Sequence, residues 1–484
     1  MRTPLETTPL AALLAAAAAL LLSTAPPADA APAPRAPRTF RVDYFHTGTA
    51  AEERFSLDRL VLEPLPWPGN PARPIDDTNS GKYLFEVRDR ATNALVYSRG
   101  FSSIYGEWET TAEAKEEVRT FSESLRFPQP AAPVQVLLKK RDPRTNLFHE
   151  AWSLSVDPKD PFVDDAPPPP AGELIALQRK GDPGQKVDLL ILGDGYTQKE
   201  RAKFEKDARR LVEILFTFSP FKERQGDFNV WGLCPAAAES GISRPSTGVH
   251  RRSPIGATYD AFGSERYVLT FDNRAFRDAA AQAPYEWVEI LVNGQTYGGG
   301  GIFNLYSTVA ADSLWAPYVF VHELGHHIAG LADEYFTSDT SYQSGKERLE
   351  PWEPNASATT DGAAIKWKAL LTPGVPLPTP WDQAGFVAWQ SDVQARRRRI
   401  RADRKPESEM DALFTAEKAE ATRRLSSEPN AAKVGAFEGA NYEAKGYYRA
   451  QADCVMFTRD DVPFCAACRS ALERILDLYA PRTR

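Results

Sequence analysis

Ala316-Pro317-Tyr318-Val319-Phe320-Val321-His322-Glu323-Leu324-Gly325-His326 decides how this chain is read. An apolar lead-in with a proline near its start predicts a helix, and Gly330 supplies the stop. On a helix, residues four apart lie one above the other. His322 and His326 are therefore placed to grip one metal ion from the same face. Glu323 stands beside them as a base for activated water, so the His-Glu-x-x-His spacing is that of a catalytic zinc site. The competing reading is an amphipathic helix with histidines on its solvated side.

A catalytic zinc takes three protein ligands and keeps one position open. Of the six histidines, only His250 and His327 lie in the second domain outside this pair. His327 is about 100° around the helix from His326 and is expected to pack rather than ligate. His250 falls in a loop and is a minor candidate. In Gly330-Leu331-Ala332-Asp333-Glu334-Tyr335 the glycine lets the chain leave the helix and curl back. Asp333 is the first choice for third ligand and Glu334 the second; an acidic turn at a helix end is the alternative. Tyr335, Tyr447 and Tyr448 are candidates to steady an oxyanion.

Working outward, 484 residues provide material for two or three domains. Net charge is −7, from 58 basic and 65 acidic residues, which argues against a nucleic-acid partner. Arg2, the apolar run Leu10 to Leu22 and the small-residue sequence Ala28-Asp29-Ala30 have the layout of a secretory signal over residues 1–30. That run is shorter than the roughly 20 residues that span a bilayer, so no membrane anchor is expected after its removal. The protein is expected to be secreted or periplasmic. Residues 38–157 alternate in period two, as in Phe40, Val42 and Tyr44 against Arg41 and Asp43, and predict a β-sandwich. Its expected roles are packing against the enzyme or helping hold a large substrate.

Residues 158–172 are proline-rich and expected to run extended, outside any sheet. A mixed α/β domain is expected over residues 173–484. Val187 to Leu192 is a continuous apolar strand, and Thr197 with Glu200 forms a capping box for the next helix. The glycine run Gly298 to Gly301 lacks the lysine of a phosphate-binding loop and suggests a backbone that approaches a substrate closely. Arg396 to Arg399, with Arg401 and Arg404, reads as a solvated helix face. Three of the four cysteines, Cys454, Cys465 and Cys468, cluster near the C-terminus. A disulfide from Cys454 to Cys465 or Cys468 is expected, with a second zinc on three thiolates and a partner as the alternative.

The stretch Val321 to Tyr335 closely resembles the zinc signature of the IgA peptidase family of bacterial metalloendopeptidases, which are metzincin-like. Leu192 to Thr197, Ser264 to Tyr267, Tyr297 to Asn304, Phe437 to Ala440 and Cys454 to Met456 look similar too. Asp43 to Gly48 and Gly106 to Glu109 resemble that family's accessory β-domain. The resemblance implies an N-terminal β-sandwich followed by a metzincin-like zinc peptidase domain. It implies Zn2+ on His322, His326 and Asp333, catalysis by Glu323, and Met456 in a turn beneath the metal; apart from the resemblance, Tyr335 and Glu334 are expected in supporting places. One departure stands out: Gly330 lies four residues after His326 where metzincins have three, which shifts Asp333 by one.

The expected function is an exported zinc metalloendopeptidase acting on proteins or peptides. A non-catalytic surface binding or adhesion protein with a structural or vestigial metal site is the alternative. Glu323 argues against it, because a structural site needs ligands but no base. A zinc hydrolase of non-peptide bonds is the third reading.

Overall fold

A computed structural model describes residues 36–337 and 347–480; the expected signal at 1–30 lies outside them. The first eight strands are β1 (Arg38–Gly48), β2 (Glu53–Pro66), β3 (Tyr83–Asp89), β4 (Leu95–Phe101), β5 (Arg119–Pro128), β6 (Val134–Arg141), β7 (Phe148–Val156) and β8 (Val163–Asp164), with a short helix α1 (Ile104–Trp108) between β4 and β5. They form two four-stranded sheets, ordered β5-β1-β2-β8 and β4-β3-β6-β7. Phe40, Val42, Tyr44 and Leu125 from one sheet pack against Phe85, Val136 and Leu138 from the other, so the sequence alternation does make a sandwich. The proline-rich connection is not wholly outside a sheet. Its Val163–Asp164 pairs parallel to Leu60–Val61, at the edge of the sheet where missing proline donors do least harm.

Beyond it come β9 (Ile175–Gln178), β10 (Val187–Asp194), α2 (Arg201–Leu215), β11 (Phe228–Leu233), a small hairpin-like pair β12 (Ala257–Thr258) and β13 (Leu269–Thr270), α3 (Asn273–Ala280), β14 (Trp287–Val292), β15 (Gly299–Ile302), β16 (Tyr306–Ala310) and α4 (Ala316–Ala329). The six-stranded sheet runs β15-β16-β14-β10-β11-β9. Its four central strands are parallel, and β15 and β9 are antiparallel edges. The capping box is present: Glu200 accepts from the Thr197 amide and hydroxyl at 2.9 and 2.8 Å. The remaining elements are β17 (Ala356–Ser357), α5 (Gln383–Ala402), α6 (Glu407–Ser426), β18 (Phe437–Ala440), β19 (Glu443–Arg449) and α7 (Ala466–Tyr479). The arginine run on α5 is only partly solvated. Arg397 is buried and Arg401 half-buried, and both pair with Glu265, at 2.9 and 3.2 Å.

β10 shows how the two halves are joined. Val187, Leu189 and Ile191 enter a core shared with α2, α4 and α7, whereas Leu190 and Leu192 enter another core on the opposite face. That second core takes Ile104, Tyr105, Trp108 and Phe121 from the N-terminal half. The polar face of β1 is buried as well. Arg41 contacts Asp43 at 2.8 Å, Glu63 at 3.3 Å and Asp278 of α3 at 2.7 Å. Arg59 bridges Asp43 and Asp278 at 2.8 and 2.9 Å. Charges removed from water need this mutual compensation. Arg41→Met is expected to lower unfolding free energy by about 3–5 kcal/mol, the range for removing one partner of a buried pair, read by urea denaturation. A loss below about 1 kcal/mol, as for surface pairs, would show the network to be solvated.

Candidate metal centre

Helix α4 carries Pro317 in its first turn and ends at Gly330, whose left-handed backbone (φ 58, ψ 40) reverses the chain under the last turn. The Gly330 and Leu331 amides close back on the carbonyls of His326 and Gly325. The added residue relative to the metzincin spacing is absorbed in this turn, and Asp333 returns to the helix face.

Each imidazole is oriented from behind. His322 Nδ1 donates to the Val455 carbonyl at 2.9 Å, and His326 Nδ1 donates to the Leu331 carbonyl at 2.5 Å. Both Nε2 atoms then face inward, 3.1 Å apart. Asp333 Oδ1 lies 3.0 Å from one and 3.2 Å from the other. A tetrahedral zinc with bonds of about 2.0–2.2 Å would set its ligand atoms about 3.3–3.6 Å apart. The donor set fits that ion in type, with a spacing slightly tighter than the bound shell would have. Glu323 adds a carboxylate within 4.8 Å of the two histidine ligand atoms. Burial holds its carboxyl above the usual range, against the pull of His322 and His326.

The supporting shell is partly what the sequence suggests. Met456 lies beneath the helix: a Cβ on Gly325 would stand 3.0 Å from its sulfur. Tyr335 borders the site, and its hydroxyl accepts from Arg266 at 3.1 Å. Glu334 does not join the histidines; its carboxylate meets Asn355 at 3.0 Å and Cys468 at 3.2 Å. His327 packs, with Nε2 accepting from the Val288 amide and Nδ1 donating to Ile302, and burial pulls it down to about 3. His250 is exposed and elsewhere. Tyr447 lines the cleft but its hydroxyl is spent on the Leu349 carbonyl at 2.9 Å, and Tyr448 does not line the cleft. The glycine run serves the helix as well as the cleft. A Cβ on Gly301 would strike the Glu323 carbonyl at 2.3 Å, and one on Gly299 would strike Val319 at 2.5 Å.

Sequence reading missed Tyr442. Its hydroxyl donates to Asp333 Oδ2, and the adjoining Asn441 amide donates to the Asp333 carbonyl at 2.9 Å. Asn441 and Tyr442 both have positive φ (52° and 63°), a costly backbone for tyrosine that its neighbours must hold. The only hint was position: the family-like stretch Phe437 to Ala440 stops one residue short. Asn355, also missed, clamps the ligand segment by pairing with both backbone groups of Ala332 at 2.7 and 2.9 Å.

The site opens into a cleft of about 980 Å³. Its walls include Trp352 from the second half and Lys82, Glu109, Lys140 and Arg141 from the sandwich. Residues 175–476 match the family model described as IgA Peptidase M64, and residues 34–153 match the model described as Peptidase M64 N-terminus. No curated protein matches the chain.

Two outcomes follow from this geometry. Tyr442→Phe frees one oxygen of Asp333 and should weaken zinc retention about 10–100-fold in chelator competition; unchanged retention would remove Tyr442 from the support of the site. The second concerns protons. Burial alone pulls His326 down, but Asp333, with Glu323 and the Leu331 carbonyl, outweighs it and holds the imidazole up to about 9. A raised histidine stabilises the fold below its ordinary value of about 6.5 and loses that contribution as pH rises. The metal-free chain should therefore lose stability from about pH 6.5 through about 9. Zinc uptake should release protons and tighten across the same window. Thermal unfolding and calorimetry in buffers of different ionisation heat measure both.

Proposed function

Because the chain belongs to the IgA Peptidase M64 family, and so is a peptidase of proteins or peptides, we propose that it is an exported zinc metalloendopeptidase. His322, His326 and Asp333 hold the ion and Glu323 is the general base. The observation that carries this reading is the convergence of two Nε2 atoms and one carboxylate oxygen at 3.0–3.2 Å from one another, with a further carboxylate alongside.

Zinc bound there supplies Lewis acidity, making water a usable nucleophile near neutral pH and polarising a carbonyl. Glu323 takes the proton of the attacking water and passes it to the departing amine. Burial suits it to both tasks, since a carboxyl raised towards the working pH both accepts and releases a proton. The Val455 and Leu331 carbonyls keep each histidine in the tautomer whose Nε2 lone pair faces the ion. Tyr442 and the Asn441 amide fix Asp333. Tyr335, polarised by the Arg266 guanidinium, is suited to receive the oxyanion.

A cleft walled by both halves of the chain accommodates an internal stretch of polypeptide, which favours endopeptidase action. Lys82 and Lys140, both ion-paired with Glu109, together with Arg141 give that wall mixed charge. Export is supported by the signal-like layout of residues 1–30. No helix among the described residues is long and apolar enough to cross a membrane.

Glu323→Gln keeps the ligands and removes the base. It should bind zinc normally yet lose at least about a hundredfold in peptide hydrolysis. The assay is digestion of mixed proteins, immunoglobulins included, with sequencing of the new termini. Wild-type turnover by this variant would refute the role given to Glu323.

A further inference from the structure

Next to the hydrolytic centre lies a second group of ligating side chains that peptide hydrolysis does not use. Glu334 follows Asp333 in the chain and directs its carboxylate towards Cys454, Cys465 and Cys468. The four ligand atoms lie within 4.8 Å of one another, and all four residues are buried. Cys454 and Cys468 sulfurs are 3.8 Å apart. Glu334 Oε1 is 3.2 Å from the Cys468 sulfur and 3.6 Å from that of Cys465.

These spacings discriminate. A disulfide needs about 2.05 Å between sulfurs, and the disulfide expected from sequence is not formed: all four cysteines are free. A tetrahedral zinc with bonds of about 2.3 Å to sulfur and 2.0–2.2 Å to oxygen sets two sulfurs about 3.8 Å apart, and sulfur from oxygen about 3.5 Å. The sulfur–sulfur distance and the Cys465–Glu334 distance match a coordination shell, and the Cys468–Glu334 distance is somewhat shorter.

The surroundings suit anionic sulfur. Backbone amides of Cys465 and Met456 point at the Cys454 sulfur, at 3.2 and 3.5 Å, and the Cys468 amide points at Cys465 at 3.5 Å. Cys465 caps α7 and Cys468 sits in its first turn, at the positive end of a helix. Glu334 Oε2 is buried without a hydrogen-bond partner, an expensive condition for a carboxylate unless a cation compensates it. Arg449 lies nearby but spends its guanidinium on the Gly439 and Ala452 carbonyls, at 2.8 and 3.0 Å. It offsets the negative charge of the cluster without entering it.

We propose that Glu334, Cys454, Cys465 and Cys468 bind a second divalent ion of the zinc class in a closed, structural site. Binding removes the protons carried by the three thiols and by the buried Glu334 carboxyl, and leaves no position for water. The site joins two segments that serve the first one. Glu334 adjoins Asp333, and Cys454 precedes Val455, whose carbonyl orients His322, and Met456 beneath the helix. A hydrogen bond donated by the Glu334 backbone amide to the Met456 carbonyl at 2.9 Å runs alongside.

The test loads the full chain with zinc under reducing conditions, desalts it and measures metal per chain. Wild type should retain two ions and the His322→Ala/His326→Ala variant one. Cobalt in that double variant should give an intense near-ultraviolet thiolate-to-metal band. A double variant without metal, a cobalt form without that band, or a disulfide between these cysteines in the zinc-loaded chain would each overturn the proposal. Since thiol replacement in a core can cost the fold, Glu334→Gln supplies a milder probe. It should shed the ion of the double variant at least about tenfold more readily to a chelator; unchanged retention would exclude Glu334 as a ligand.

Discussion

Two imidazole nitrogens and a carboxylate oxygen held at 3.0–3.2 Å create a local excess of lone pairs that a protein interior cannot tolerate without positive charge. In the metal-free state a proton on His326 supplies it, which is why that ring stays protonated far above its ordinary range. A divalent cation does so better, since it satisfies three donors at once. The rest of the architecture follows from keeping these groups together. Gly330 reverses the chain, Gly301 and Gly299 let the edge strand lie against the helix, and Gly325 leaves room for Met456. At each, a side chain would strike a neighbour or strain the backbone that holds the donors in place.

Local pattern made much of this legible. The helix from Ala316, its glycine stop, the capping box at Thr197 and the buried strand at Val187 rest on interactions a few residues long, and all are present. The mixed α/β class and the sandwich ahead of it follow from the same periodicities. The pairing of His322 with His326 needs only one helical turn, so spacing was enough to bring them together. The return of Asp333 depends on a single turn beyond.

What stayed hidden depends on distant partners. Tyr442 reaches Asp333 from more than a hundred residues away, and its positive φ leaves no mark in a one-dimensional pattern. Alternation at Arg41 and Asp43 reports one buried face and is silent on the other, which Asp278 of α3 in the second half helps to cover. The cysteines suggested a covalent link because sequence shows their proximity but not Glu334 among them. The proline-rich connection reads as unpaired because sequence cannot say which edge is open to a two-residue strand.

Because Ile104, Tyr105, Trp108 and Phe121 complete the apolar layer beneath β10 and β14, the front portion of the molecule is not an appendage on a tether. Severing it would leave a broad oily surface facing water, and the wall of the cleft would go with it. The two portions thus share one core, and any reshaping of what the cleft admits can be written into either of them.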